Sequence, residues 1–188
     1  MSLNQEIEIK YTLENPEILI RKLNECATYK GEYQQSDTYY NPPHLDFLKN
    51  PENISRWLRL RSQKGYSSIN YKNFYPEESF PKTHCDEYET KVESVETLRA
   101  ILNALDFKPL IVINKRRRSW DLDDVEISVD AIENLGTFVE LEYKGSCQDV
   151  DKVLEYLTKT LFGLTNTVGT SVKYGYPHLM MLKDGWFK

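Results

Sequence analysis

Charged and apolar residues alternate one for one through segment after segment of this chain, and that period of two constrains the fold more than any other feature. A strand sends successive side chains to opposite faces, whereas a helix repeats every 3.6 residues. Glu6-Ile7-Glu8-Ile9-Lys10 shows the pattern first, with Glu6, Glu8 and Lys10 on one face and Ile7 and Ile9 on the other. Arg59 and Arg61 then lie opposite Leu58 and Leu60, and Asn70 and Lys72 opposite Ile69 and Tyr71. Glu87, Glu89 and Lys91 lie opposite Tyr88 and Val92, and Lys115 and Arg117 share one face of a longer segment. Glu126, Ser128 and Asp130 oppose Val125, Ile127 and Val129, and Glu140 and Glu142 oppose Val139, Leu141 and Tyr143.

With a further segment at 35–40, the pattern predicts eight strands: EIEIK near the start, then 35–40, 56–62, 68–74, 86–93, 109–122, 124–132 and 137–145. Lys64-Gly65, Asp123-Asp124 and Asn134-Leu135-Gly136 supply turns between them. Three helices are predicted over 14–29, 94–106 and 149–162. Their apolar stripes are Leu19, Ile20, Leu23 and Cys26; then Val95, Leu98, Ile101, Leu102 and Leu105; then Val150, Val153, Leu154, Leu157 and Leu161. Ser94 is placed to cap the second. Proline-bearing segments 41–55 and 75–83 read as loops, and the aromatic-rich tail, 171–188, has room for a short helix. The expected class is α+β, in one domain covering residues 1–188.

The apolar faces need cover, which three amphipathic helices can give. The charged faces have two possible destinations: an open, solvated sheet face, or the lumen of an eight-stranded antiparallel β-barrel, a tunnel that also removes exposed edges. Solvated faces mix Thr, Ser and Gln with charges, but these positions are nearly all Glu, Lys and Arg. Like charges across a sheet repel, and a bound polyanion would neutralise the cations, so the lumen is the favoured arrangement. Lys10, Arg59, Arg61, Lys72, Lys115 and Arg117 then offer cations to phosphate oxygens. Glu6, Glu8, Glu140 and Glu142, with Asp130, offer hard oxygen ligands to Mg²⁺ or Mn²⁺. Glu87, Glu89, Lys91, Glu126 and Lys173 are further candidates for the same lining. A chain of phosphates with a divalent cation requires both sets. No Gly-rich phosphate loop is present.

Net charge is −5, which argues against a general nucleic-acid partner. The basic run KRRRSW (115–120) divides between two faces if it is a strand. No apolar run approaches the roughly 20 residues of a membrane span, and the opening residues lack a basic region followed by an apolar block. Cys26, Cys85 and Cys147 are odd in number and widely spaced, and His44, His84 and His178 show no ligand spacing. Free thiols, a cytoplasmic location and histidines without a catalytic role are expected.

Glu6-x-Glu8-x-Lys10 resembles the ExExK signature of the CYTH domain, the triphosphate tunnel metalloenzymes. SDTYY (36–40), LRLR (58–61), Lys72, Lys115-x-Arg117, Asp130 and ENLGTFVELE (133–142) follow in that family's order. Within the family, FKPLIVINKRRRSW, EISVDAIENLGTFVELE and GYPHLM are most similar to the class IV adenylyl cyclase branch. Asn73 after Lys72, and Gly175 in the C-terminal motif, depart from that branch. The resemblance implies Glu6, Glu8 and Lys10 at a catalytic centre, and a triphosphate held by the six cations. It implies Mg²⁺ or Mn²⁺ on Glu6, Glu8, Asp130, Glu140 and Glu142. The substrate class is ATP, thiamine triphosphate or inorganic triphosphate, on a monomer or homodimer. Cyclisation of ATP to cyclic AMP and pyrophosphate, hydrolysis of a triphosphate, and polyphosphate or nucleotide binding without turnover are the three readings carried forward.

Overall fold

Ten strands, four α-helices and one 3-10 turn make up residues 5–187, the part of the chain that the computed structural model describes. In chain order they are β1 (Gln5–Glu6), β2 (Glu8–Leu13), α1 (Pro16–Cys26), β3 (Thr28–Asn41), the 3-10 turn (Pro51–Asn53), β4 (Arg56–Gln63), β5 (Tyr66–Tyr75) and β6 (His84–Lys91). Then come α2 (Val95–Ala104), β7 (Lys108–Leu122), β8 (Val125–Ile132), β9 (Gly136–Tyr143), α3 (Val150–Leu164), β10 (Val168–Ser171) and α4 (Tyr176–Lys183). Hydrogen-bonded neighbours run β1-β6-β5-β4-β3-β7-β8-β9-β2-β10. The α+β class with an antiparallel sheet is as expected.

The strand count differs from the expected eight for two local reasons. The run EIEIK is interrupted at Ile7, a core residue only 2% exposed, so it contributes to two strands. β10 has four residues, Val-Gly-Thr-Ser, and no alternation to betray it. It pairs with β2 through Val168↔Leu13 and Ser171↔Tyr11, with a register shift between them. The tail does hold a helix, α4, opened by Pro177 in its first turn.

The chain divides into two compact units. One comprises Glu6–Tyr33 with Lys115–Lys173, and the other is built on Gln34–Asn114 with Tyr174–Lys188. In the first unit, the apolar faces of β2, β8 and β9 pack with Ile7 against α1 and α3. Ile127, Val129, Val139 and Leu141 from the strands meet Leu19 and Leu23 of α1 and Leu157 and Leu161 of α3. Asn15 leads into α1 at Pro16, and the Asp149 side chain accepts from Lys152 N to cap α3. Trp120 is buried at 1% exposure, and its indole N–H donates to Asn24 Oδ1 at 2.9 Å. A buried indole needs such a partner.

In the second unit, α2 is capped by Ser94, whose hydroxyl accepts from Thr97 N at 3.1 Å. Val95 and Leu102 of α2 pack with Tyr40 and Leu60, flanked by Leu58, Val92, Leu98 and Phe107. The hairpin between β4 and β5 is closed by two residues, since Gln63 pairs with Tyr66. Gly65 takes φ +78 there, a conformation glycine adopts without steric cost. α4 carries His178, 3% exposed, with the rings of Tyr174 at 4.2 Å and Phe187 at 5.5 Å from its own.

Burial alone lowers the His178 pKa to about 4. An unfolded histidine titrates near ~6.5, so the stability linked to the neutral ring is complete above that value. It is lost as pH falls from there through the folded value. The expected loss is roughly 3 kcal/mol across that interval. Urea unfolding of the full chain at pH 7 and pH 4, compared with His178→Gln, checks this; a variant that loses as much stability as the wild type would refute it.

Candidate functional site

Parity along a strand decides which side chains share a face, and register between strands decides which of them touch. In the unit containing β2, β8 and β9, Glu126 pairs in register with Glu142, and Glu142 with Glu8. One step along, Ser128 pairs with Glu140, and Glu140 with Lys10. On β7, Arg117 pairs with Asp130.

From these registers comes a ladder of alternating charge. Lys10 Nζ lies 3.1 Å from Glu8 Oε1 and 3.2 Å from Glu140 Oε2. Arg117 Nη2 donates to Glu140 Oε1 at 2.9 Å. Its Nε and Nη2 span Asp130, reaching Oδ1 at 2.7 Å and Oδ2 at 2.6 Å. Lys115 Nζ stands 3.5 Å from Asp130 Oδ2. Lys10, Lys115, Asp130 and Glu140 are all buried, as is Glu6. Burial opposes the charge on Lys10, but Glu8 and Glu140 outweigh it and raise its pKa. Burial likewise opposes ionisation of Asp130, yet Arg117 and Lys115 hold its carboxyl below the usual range.

Arg118 turns to the other face and meets Glu17 at 3.4 Å, so the basic run does divide as its spacing predicted. At the end of the acidic row, Lys144 Nζ lies 2.7 Å from Glu142 Oε1 and 3.8 Å from Glu126 Oε2.

The unit containing β4, β5 and β6 carries a second charged face. Arg61 spans Asp37 through Nε to Oδ1 at 2.7 Å and Nη2 to Oδ2 at 2.8 Å. Arg59 Nη1 is 3.9 Å from the same carboxylate, and its Nη2 donates to Glu89 Oε2 at 3.3 Å. Tyr66 donates its hydroxyl to Glu89 at 2.7 Å. Lys72 Nζ lies 3.6 Å from Glu87, to which Asn70 also donates. Tyr39 and Trp57 meet edge to face at 5.6 Å and share the parity of Arg59 and Arg61. Lys91 lies over the Tyr66 ring at 5.6 Å, and Lys173 is exposed after β10.

Every expected phosphate-binding cation therefore has a carboxylate within 4 Å in its own unit. The spacing of the cations along the strands does not disclose this, because the partners lie on neighbouring strands. Asp37, Tyr39, Trp57, Asn70 and Lys144 were not among the candidates. Lys144 had a usable signal, two residues beyond Glu142 in sequence, whereas Asp37 reaches Arg61 only through the register of β3 on β4. A buried nitrogen, Arg59 Nε, has no hydrogen-bond partner among the described residues. Such a group is costly unless something supplies an acceptor.

Antiparallel strands bearing two ladders of paired charge define a class: α+β proteins with a densely ionised sheet face. The particular family follows from comparison with known sequences. The CYTH domain profile matches residues 4–168, and the chain belongs to the CYTH domain family. It is 32% identical, over 93% of its length and 97% of the other's, to a provisionally named adenylate cyclase of Methanocaldococcus jannaschii. The solved PH1819 protein of Pyrococcus horikoshii OT3 is 27% identical, with a TM-score of 0.78, covering 95% of this chain and 99% of that one. HpAC1 of Hippeastrum shares the fold at 15% identity and a TM-score of 0.60, with 96% of each chain covered. Among the described residues, no helix is long and apolar enough to cross a membrane.

Arg117→Met leaves the buried Asp130 and Glu140 without their guanidinium. Breaking a buried pair on one side costs about 3–5 kcal/mol, and the double variant with Asp130→Asn should recover part of it. Urea midpoints of the two variants decide; a loss under about 1 kcal/mol for Arg117→Met would mean the ladder is not a structural element.

Proposed function

We propose that this chain is a metal-dependent enzyme acting on a triphosphate, with the class IV adenylyl cyclase reaction, ATP to cyclic AMP and pyrophosphate, as its leading activity. The observation that carries the reading is the dense set of lysines and arginines, fixed in place by carboxylates, on strands of a CYTH domain. Lys10, Arg59, Arg61, Lys72, Lys115 and Arg117 are assigned to the phosphate chain, with the buried Arg59 Nε, unpartnered among the described residues, as a donor in waiting. The family match includes residues of both compact units, which supports treating the chain as one functional domain. The name of the archaeal relative supports the cyclase assignment.

Glu6, Glu8, Glu140 and Glu142 are assigned to Mg²⁺ or Mn²⁺. Their donor chemistry fits: these are hard oxygen ligands, and the ammonium of Lys144 already sits against Glu142 at 2.7 Å as a stand-in cation. Asp130 and Glu140 are the more heavily engaged members of the expected set: Arg117 spans both oxygens of Asp130, and the two oxygens of Glu140 meet Arg117 and Lys10. A bound divalent ion would supply charge neutralisation at the phosphate oxygens. The chain's own cations bind and align the phosphates, and Lys10, held between Glu8 and Glu140, adds a fixed positive charge at the catalytic centre. In the cyclase reaction the ribose 3′-hydroxyl attacks the α-phosphorus and pyrophosphate leaves. In a hydrolase, water attacks the terminal phosphorus.

Triphosphate hydrolysis is kept as a second reading for one reason. HpAC1, considered an adenylyl cyclase, is described as having a dominant triphosphatase activity, so a cyclase name and a hydrolytic reaction meet on this fold.

A product assay with Mn²⁺ or Mg²⁺ and, in separate reactions, ATP, thiamine triphosphate and inorganic triphosphate separates the readings. Cyclic AMP with pyrophosphate is the expected result, and orthophosphate alone would establish the hydrolase instead. Glu140→Gln should remove metal-dependent turnover while leaving the circular dichroism spectrum unchanged. Arg59→Met should weaken triphosphate binding by ~2–4 kcal/mol. Full activity in EDTA would remove the metal from the account.

A further inference from the structure

We propose that Asp37 is a positioning residue for anion binding, a strut that holds Arg61 and Arg59 with their remaining N–H groups directed to the phosphate chain. The inference rests on the triphosphate reading above and assigns a residue outside both its phosphate and its metal sets.

Asp37 lies on β3, directly across from Arg61 on β4. It is 1% exposed. Both carboxylate oxygens are engaged by one edge of the Arg61 guanidinium, at 2.7 and 2.8 Å. That edge, Nε with Nη2, is the planar fork that would otherwise grip a phosphate. Its capture leaves Nη1 as the nitrogen of Arg61 not committed to Asp37. Arg59, two residues earlier on the same face, is braced from both ends, by Asp37 at 3.9 Å and by Glu89 at 3.3 Å. Its Nε stays buried without a hydrogen-bond partner among the described residues. Two guanidinium groups at this spacing repel each other, and long arginine side chains have many rotamers. A buried carboxylate between them removes both problems before any ligand arrives, which is what preorganised binding requires.

A second instance of the same geometry supports the reading. Asp130 on β8 faces Arg117 on β7, accepts from the same Nε and Nη2 edge at 2.7 and 2.6 Å, and has Lys115, two residues before Arg117, at 3.5 Å. An aspartate across from the second cation of a K/R-x-R pair is thus a repeated device in this chain.

The test is calorimetric titration of inorganic triphosphate into the full chain in metal-free buffer, with thermal unfolding measured alongside. Asp37→Asn keeps the shape and removes the charge; Asp37→Glu keeps the charge and displaces it by a methylene. A positioning role predicts that both weaken binding at least ~10-fold. A purely structural role lowers the unfolding temperature but leaves the affinity of the folded protein within about twofold of wild type, and that outcome overturns the inference. Wild-type affinity in Asp37→Glu would also overturn it, by showing that charge alone matters. Absence of binding by the wild type both in metal-free buffer and with Mg²⁺ added would sink the triphosphate reading and this inference with it, whereas wild-type binding with unaffected variants sinks this inference alone.

A measurement on the unaltered protein guards against variants that fail to fold. The Arg61 Nε–H resonance should stay slowly exchanging and nearly unshifted when triphosphate is added, while that of Arg59 shifts. An Arg61 signal that moves as far as the Arg59 signal would mean Asp37 has released its partner, and the strut does not exist.

Discussion

Buried carboxylate–guanidinium pairing across adjacent strands is the interaction on which the rest of this structure depends. A sheet face lined with lysine and arginine cannot be buried by itself, because desolvation and mutual repulsion both oppose it. Asp130 and Glu140 divide Arg117 between them at 2.6–2.9 Å, and Asp37 holds Arg61 at 2.7–2.8 Å. With those pairs formed, Lys10 and Lys115 can also be buried as cations. The apolar faces of the same strands are then free to pack on helices, as Ile127, Val139 and Leu141 do in the core with α1 and α3.

The pairing also bears on how such a face meets a ligand. A set of bare cations would bind any anion and would repel itself in the absence of one. Cations already paired present a smaller excess of charge in fixed directions, so discrimination comes from geometry as much as from total charge. Lys144 against Glu142 and Glu126 shows the converse arrangement, an exposed ammonium standing among carboxylates. On these strands the cations and carboxylates hold one another in place.

Much of this was legible in the sequence, and the limits have a physical origin. Parity is a local property, so the charged and apolar faces of β4, β5, β8 and β9 could be assigned from residue spacing, as could the division of Lys115 and Arg117 from Arg118. Helical stripes are local too, and Leu19, Leu23, Leu157 and Leu161 are core residues as predicted. Register is not local. Nothing near Arg61 announces that Asp37 is opposite it, and Asp37 therefore passed as an ordinary residue of SDTYY. Trp57 and Tyr39 have the parity of the arginines, but an aromatic residue on a strand reads first as core. β10 is too short for any period to show, and its place beside β2 is set by pairing at a distance. Family resemblance restored some of what local patterns lack, because an ordered set of motifs carries the register implicitly.

The turn between β7 and β8 is only two residues long, Asp123 and Asp124, since Leu122 pairs with Val125. Asp123 adopts φ +51 to make it. In a hairpin this tight, loop length dictates register, and a slip of one position sends every side chain of a strand to the opposite face. One inserted residue that shifted the pairing would carry Asp130 out of reach of Arg117 and deliver Val129 into its place. Residues 42–50 belong to no strand and carry no ladder residue, and this stretch can lengthen or shorten at smaller cost. The turn lengths of this protein are therefore as much a part of its chemistry as its charged residues, and insertions and deletions are expected to be tolerated very unevenly along the chain.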